Sequence, residues 1–186
     1  MKIMIMAQHF WPEEVSGAVL ATELAEYLTE EGHKVSFITC APNYPHGKVF
    51  AGYKNRLLAK EVYGGIKVFR VWSFITPNRS NWARFLNWLT FSLACIWGGL
   101  AAEKPDVIFS YSPPLPLGIA AWFLARWYRA KWVLRIEDLY PDAAIAVGAL
   151  QNKFVIRLLQ SLESFLYKNA VKISLISEGF RENLLG

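Results

Sequence analysis

The amino-acid sequence predicts an α/β fold, a doubly wound and mostly parallel sheet, and three observations predict it. Nearly continuous apolar runs recur along the chain, beginning with Ile3-Met4-Ile5-Met6, and such runs belong to parallel strands covered on both faces. Amphipathic or apolar helical stretches alternate with these runs, the order expected of βαβ units. Polar segments punctuated by Pro and Gly follow the strand ends, and open sheets of this kind bind ligands beyond the carboxyl ends of their strands.

The first unit organises the rest. Its strand leads through Gln8-His9-Phe10-Trp11-Pro12-Glu13-Glu14-Val15-Ser16-Gly17 into a helix whose predicted buried stripe is Leu20, Ala21, Leu24, Ala25 and Leu28. Gly32 ends that helix as a left-handed residue beyond the last turn. Val35-Ser36-Phe37-Ile38-Thr39-Cys40 is the second strand, joined to the first by a right-handed crossover. The loop Ala41-Pro42-Asn43-Tyr44-Pro45-His46-Gly47-Lys48 carries two prolines and a glycine and does not form helix. Glu61-Val62-Tyr63, Gly64-Gly65 and the run 66–72 read as a hairpin, because paired glycines supply the positive φ of a two-residue turn.

Residues 82–102 are the most apolar stretch, and three readings of it compete. A bilayer span is disfavoured by Asn87, Ser92 and Gly98-Gly99. A helix packed on the sheet is the structural reading, and a helix resting in a membrane interface through Trp82, Arg84 and Trp88 is the functional alternative. Further on, strands are predicted at 106–111, 132–136 and 172–177 and helices at 117–129 and 153–169. In the last of these helices Phe154, Val155, Leu158, Leu159, Leu162, Phe165 and Leu166 line one side, with Lys153, Arg157, Gln160 and Lys168 wet. The expected sheet has six strands, and a further helix begins near Glu178. The ending suggests one lobe of a longer protein, with residues 1–186 forming a single domain.

Composition narrows the class. The chain is 186 residues, 54% hydrophobic and 15% aromatic, enough for a substantial core. Cys40 and Cys95 fall inside apolar elements and read as buried thiols of a protein in a reducing cytosol. A formal charge of +5 suits an anionic partner, a phosphate-bearing ligand or lipid headgroups, or equally a solvated basic face. No helix-turn-helix or base-reading basic stripe points to nucleic acid. No cluster has metal-ligand spacing, so neither a metal nor a cofactor is expected.

The chemistry-bearing residues collect at the predicted carboxyl ends of the strands: His9 with its loop, Asn43 to Lys48, Tyr111 to Pro114, Glu137 to Asp142, and Ser177 to Gly179. Ser16-Gly17 either presents free N–H groups to an anion or holds Ser16 as a helix cap. The first loop lacks G-x-G-x-x-G and so does not bind a dinucleotide in the usual way. His9 is a catalyst or a loop hydrogen-bonder. Glu137-Asp138 is the strongest chemical candidate, since adjacent carboxylates raise one another's pKa as a proton acceptor for a sugar hydroxyl requires. Its alternatives are a salt bridge to Arg135 or a helix cap at Asp138 or Asp142.

Taken together, Lys2-Ile3-Met4-Ile5-Met6, the Pro-containing loop ending in Ser16-Gly17, Gly32-His33-Lys34-Val35, Pro42 to Lys48, Lys104-Pro105-Asp106-Val107-Ile108, Asp138-Leu139-Tyr140-Pro141-Asp142 and Ile176-Ser177-Glu178-Gly179-Phe180 resemble the amino-terminal domain of family 4 glycosyltransferases. The resemblance is to the bacterial surface-polysaccharide branch, the fucosamine-transferase-like group, and it covers essentially the whole chain. It implies one Rossmann-like lobe of a two-lobe GT-B enzyme that retains anomeric configuration and needs no metal. This lobe would hold the acceptor, a lipid-linked or soluble saccharide, through His9, Asn43, Tyr44, His46, Tyr111 and Ser112. Asp138 and Glu137 would be catalytic, Ser16 and Gly17 would form the donor-phosphate loop, and Ser177 and Glu178 would lie on the interdomain rim. The nucleotide-sugar donor, a substrate and not a cofactor, would be gripped by a carboxyl-terminal lobe absent from this chain. Relatives often have two glycines where Ser16-Gly17 stands and a histidine where Glu137 stands. The implied location is the cytoplasm, peripheral on the inner membrane face where the acceptor is lipid-linked, and the fragment alone is expected to be inactive. The other reading is a non-catalytic Rossmann-like module that binds a nucleotide or sugar.

Overall fold

The computed structural model describes residues 1–78, 80–146, 148 and 150–176. The elements run β1 (Lys2–Met6), α1 (Ser16–Glu30), β2 (Lys34–Cys40), β3 (Leu58–Tyr63), β4 (Ile66–Val71), α2 (Asn81–Leu100), β5 (Val107–Ser112), α3 (Leu115–Tyr128), β6 (Lys131–Ile136), α4 (Asp142–Ala146), α5 (Lys153–Asn169) and β7 (Lys172–Leu175). They build one sheet of order β3-β4-β2-β1-β5-β6-β7. Every pairing is parallel except the β3–β4 hairpin. Strand β1 is central, with Ile3 beside Val35 on one side and Val107 on the other, as its unbroken apolar character requires. The sheet has seven strands where six were expected, because the first hairpin arm joins it as an edge strand. Gly64 and Gly65 turn that hairpin at φ 54° and 84°.

The two-residue period of the strands sorts the core into two layers. Ile3, Ile5, Val35, Phe37, Ile66 and Val68 face α1 and meet Ala21 and Ala25. Met4, Met6, Ile38 and Val71 face the other way, against Phe91 and Cys95 of α2 and Leu117, Ala121 and Leu124 of α3. Both cysteines are buried free thiols. The glycine pair in α2 exists for this layer. A Cβ at Gly98 would stand 2.5 Å from Val71 Cγ1, and one at Gly99 would stand 2.4 Å from Leu124 Cδ1. Gly32 ends the α1 turn at φ 80°.

Several expectations change. Leu20 is exposed, and Ala18 with Thr22 takes its place in the buried stripe of α1; the helix is rotated so that its small residues approach the sheet. Helix α5 keeps its predicted limits, most other elements start or stop one to two residues away from theirs, β3 begins at Leu58, three residues before the predicted Glu61, and β7 ends at Leu175. Helix α4 is a single short turn that begins at Asp142, one of the two positions the sequence offered as a helix cap. In α5 only Leu166 of the predicted stripe is fully buried, while Phe154 and Leu158 are 76% and 60% exposed and Phe165 also reaches the surface. The reason is geometric: α5 meets α3 through its carboxyl-terminal half, where Gly118 admits the Leu166 methyls, and its first turns extend past the layer.

Helix α2 is capped by Ser80, whose side chain accepts the Ala83 N–H, and it lies on the sheet as the structural reading required. Among the described residues no helix is long and apolar enough to cross a membrane. Its outer face is nonetheless apolar. Trp82 and Trp97 are 68% and 65% exposed, with Phe85, Leu93 and Leu100 on the same stripe, and Trp127 of α3 beside them is 66% exposed.

Candidate functional site

The rim at the carboxyl ends of the strands is tied together by one buried carboxylate, Glu13. Its Oε1 accepts the backbone N–H groups of Asn43 at 2.8 Å and Tyr44 at 2.7 Å. Its Oε2 lies 3.0 Å from His9 Nδ1 and accepts the Phe10 N–H at 3.4 Å. Thus the loop after β1 and the loop after β2 are one body. Burial works to raise the Glu13 carboxyl, but the His9 hydrogen bond and charge and the two amides outweigh it and hold the group below the ordinary carboxylate range. Asn43 is buried and donates through Nδ2 to the Ala41 carbonyl at 2.8 Å. Arg70, buried beneath both loops, donates to the carbonyls of Trp11 at 2.7 Å and Cys40 at 3.1 Å and pairs with Glu61 at 2.7 Å.

Above this foundation is a polar cleft of about 410 Å³. His9, Asn43, Tyr44 and His46, four residues singled out from the sequence, line it together. The Tyr44 ring meets the His9 imidazole edge-on at 5.5 Å. The facing wall is Arg84, Asn87 and Trp88 from the first turns of α2, with Thr76 from the preceding loop; the sequence reading sets Arg84 and Trp88 beside Trp82 as an outward face and assigns none of them to the cleft. A signal was present, because Arg84 and Asn87 interrupt an otherwise apolar helix three residues apart and so share a face. Asn87 bridges the walls, bonded to the Gln8 amide and donating to the Phe74 carbonyl at 2.9 Å.

A second group of candidates gathers at the start of α1. Ser16 is the first helical residue, Val15 is the cap, and no side chain caps this end; the capping alternative for Ser16 is therefore corrected. Gly17 faces Glu137, whose Oε2 would stand 3.2 Å from a Cβ at that position. Glu137 Oε1 is buried without a hydrogen-bond partner among the described residues. Burial pushes this carboxyl above its ordinary value and Asp138 adds to the rise, while Arg135 and His9 oppose it. The expected alternative of a salt bridge to Arg135 is not found among the described residues; Arg135 Nη1 donates instead to Ser174 Oγ at 3.3 Å. Asp138 is exposed at the rim. Asp142 opens α4.

Two further candidates lie elsewhere. Tyr111 is buried in the α1 layer, edge-on to Phe109, and Ser112 is buried with its carbonyl accepting the Glu137 N–H at 2.9 Å. They support the rim from below and do not line the cleft. Ser177 and Glu178 lie outside the described residues. Among the described residues no three His, Cys, Asp or Glu side chains converge as a metal-binding group.

A doubly wound, mostly parallel lobe with a cleft at the carboxyl rim of its strands defines the class of Rossmann-like domains. Residues 17–186 match the glycosyl transferase 4-like domain, and the chain belongs to that family. It is similar to the putative colanic acid biosynthesis glycosyl transferase WcaI of Escherichia coli K12, with 29% identity over 150 residues, 80% of this chain and 37% of WcaI. It is also similar to the probable glycosyltransferase WbjE of Pseudomonas aeruginosa, with 32% identity over 76 residues, 40% of this chain and 19% of WbjE. The chain thus spans well under half the length of these curated relatives. Among solved structures, sucrose-phosphate synthase from Thermosynechococcus elongatus superposes with a TM-score of 0.62 at 14% identity, over 93% of this chain and 41% of that one. That likeness shows the fold, and the fold is the Rossmann-like lobe that the sequence resemblance implied.

Proposed function

We propose that this glycosyltransferase domain is the acceptor-binding amino-terminal half of a retaining enzyme of surface-polysaccharide synthesis. The observation that carries the reading is the union of His9, Asn43 and Tyr44 by Glu13 into a single polar wall, facing Arg84 and Asn87 across the cleft. Hydroxyl-rich ligands are recognised by convergent donors and acceptors of this kind held on rigid elements. The names of WcaI and WbjE support transfer over the alternative of a sensor module.

In this reading a carboxyl-terminal lobe grips the nucleotide sugar and closes on the rim. An acceptor hydroxyl oxygen bonds to the anomeric carbon as the bond from that carbon to the leaving phosphate oxygen breaks. The nucleoside diphosphate departs, and the hydroxyl proton passes to a phosphate oxygen or a neighbouring carboxylate. Glu137 and Asp138 are the carboxylates at hand, with Glu137 against Gly17 at the start of α1, where helix N–H groups suit the departing anion. No resident metal or cofactor takes part. Because both substrates must be held together, residues 1–186 alone do not turn over.

The acceptor is lipid-linked and the enzyme works peripherally on the inner membrane face; the exposed stripe of Trp82, Phe85, Leu93, Trp97 and Leu100 and the net charge of +5 support this part. Incubation of the full-length protein with a panel of nucleotide sugars and both lipid-linked and soluble saccharides, with products read by mass spectrometry and anomeric configuration by NMR, tests the whole. A product of unchanged anomeric configuration is expected. Inversion, or nucleotide-sugar binding without transfer to any acceptor, overturns the reading.

A further inference from the structure

A second cavity, about 450 Å³ in volume, lies between the first turns of α2, the start of α3 and the first half of α5. Its walls are Trp82, Phe85, Leu115, Val155, Leu158 and Leu159 with their neighbours, and among them is the first half of α5, where Leu159 packs on the core while Phe154 and Leu158 stay exposed among the described residues. Arg84 and Trp88 line both this cavity and the polar cleft. The two spaces are therefore neighbours across a single turn of helix, one wet and one dry. Among the described residues lining either space there is no carboxylate, and the cation shared by both is Arg84.

We infer that the apolar cavity holds the leading segment of a hydrocarbon chain whose phosphate head is met by Arg84 and whose sugar lies in the polar cleft. Taking roughly 30 Å³ for a water-sized group, the cavity has room for about fifteen such groups, the bulk of a few isoprene units. The chemistry favours a lipid phosphate, a hydrocarbon chain with an anionic head, over the other occupants of an apolar groove. A polypeptide helix, from a second copy or from elsewhere in the protein, would fill the apolar space but would have to set an acidic side chain at the one turn where Arg84 reaches the polar cleft. An anionic lipid satisfies both ends at once, and its tail leaves along the Trp82, Phe85, Leu93 stripe toward the bilayer. Burial of apolar surface would supply affinity, while Arg84 would fix the register of head against cleft. The inference rests on the proposed lipid-linked acceptor and specifies how its lipid is recognised.

The test uses the full-length protein and fluorescent farnesyl phosphate below its micelle concentration, with unlabelled farnesyl phosphate and inorganic phosphate as competitors. Leu158→Arg is the main variant, because Leu158 is largely exposed and the longer side chain has solvent to enter. Leu158→Ala checks the result without a charge, and Val62→Arg, on the distant edge strand, is the control. Expected are binding weakened about tenfold or more by Leu158→Arg, on the order of 1.4 kcal/mol, a smaller loss in Leu158→Ala, no change in Val62→Arg, and competition by farnesyl phosphate far stronger than by inorganic phosphate. Equal binding by Leu158→Arg, equal competition by inorganic phosphate, or hydrogen-exchange protection of 154–159 before the probe is added would each overturn it. Protection of that kind would mean that protein already covers the groove. Transfer to soluble saccharides with no farnesyl phosphate binding would sink the groove alone, whereas probe binding without any transfer would leave the groove and sink the enzyme reading.

Discussion

Glu13 and Asn43 stand thirty residues apart in the chain, and the carboxylate of the first accepts the backbone N–H of the second at 2.8 Å with both residues buried. Removing the carboxylate orphans the Asn43 and Tyr44 amides and frees the His9 ring. The Glu13→Ala variant is expected to lose about 3 kcal/mol, because the buried Asn43 amide and the part-buried Tyr44 amide lose their charged partner, and to melt roughly 10 °C lower. The pH dependence follows from the lowered carboxyl. A group whose folded pKa lies below its unfolded value stabilises the fold at pH above the unfolded value, and that stability drains away as pH falls through the folded one. The gap between wild type and Glu13→Gln should therefore be full at pH 7 and close as the pH falls below about 4.3. Thermal unfolding followed from pH 3 to pH 7 checks both statements. A constant gap across that range would exclude the carboxylate as its source.

Glu137 is the opposite case. Burial raises its carboxyl, and one oxygen has no hydrogen-bond partner among the described residues, so the folded state holds its proton more tightly than the unfolded one. Stability contributed this way is present below the unfolded pKa and falls as pH rises toward the folded value. Glu137→Gln is expected to leave neutral-pH stability unchanged or raise it by about 1 kcal/mol, while lowering kcat of the full-length enzyme by about a hundredfold, within the range for loss of a proton acceptor. Calorimetry and steady-state kinetics on the same preparation measure the two effects. A destabilised variant with full activity would return Glu137 to a structural role.

Much of this architecture is legible before folding is considered. The two-faced apolar strands, the Gly64-Gly65 turn and the Gly32 stop are local chemistry, and local chemistry survives into the structure unchanged. Burial of a helix face is not local. Leu20 fits the stripe of α1 by period yet lies in water, because the approach of helix to sheet is set by Ala18, Ala21 and Ala25. The first half of α5 carries a stripe that is only partly covered among the described residues, with Leu159 packed on the core and Leu158 exposed. In the cleft, His9, Asn43, Tyr44 and His46 were legible from their place at strand ends. Glu13 was not, since two adjacent acids in a loop give no sign that one of them will be buried under four donors while Glu14 stays exposed. Tyr111 and Ser112 sit at a strand end too, but the pleat turns Tyr111 into the core, a matter of register that the run of apolar residues around it leaves open.

The glycine pair of α2 makes a packing claim that a conservative change can test. A Cβ at Gly98 meets Val71 Cγ1 at 2.5 Å and Ile38 Cγ2 at 3.1 Å, and the two β-branched neighbours cannot rotate freely out of the way. Gly98→Val should destabilise by about 2–3 kcal/mol through overpacking, outweighing the roughly 0.5–1 kcal/mol gained when a glycine leaves a helix interior. The paired change Gly98→Ala with Val71→Ala should recover most of the loss. Urea unfolding of the single and double variants measures the coupling. Additive losses would mean that the helix is held at a greater distance from β4.

The outer face of α2 and α3 gives the last prediction. Trp97 and Trp127 are largely in solvent, and Arg126, Arg129, Lys104 and Lys131 lie exposed toward the same ends of these helices. Aromatic side chains entering the headgroup layer beside cations combine apolar burial with attraction of about 1 kcal/mol per basic residue to an anionic surface. Replacement of both residues, Trp97→Glu with Trp127→Glu, removes the apolar part and adds like charge to the lipid's own. Co-sedimentation of the full-length protein with vesicles containing anionic lipid should fall at least tenfold, and wild-type binding should weaken as salt is raised, since exposed charges are screened over about 10 Å at 0.1 M. Neutral vesicles should retain little of either protein. Because these substitutions sit on outward positions that support no core contact, melting temperature should hold within about 2 °C, and a loss of vesicle binding at constant stability assigns the effect to the surface itself.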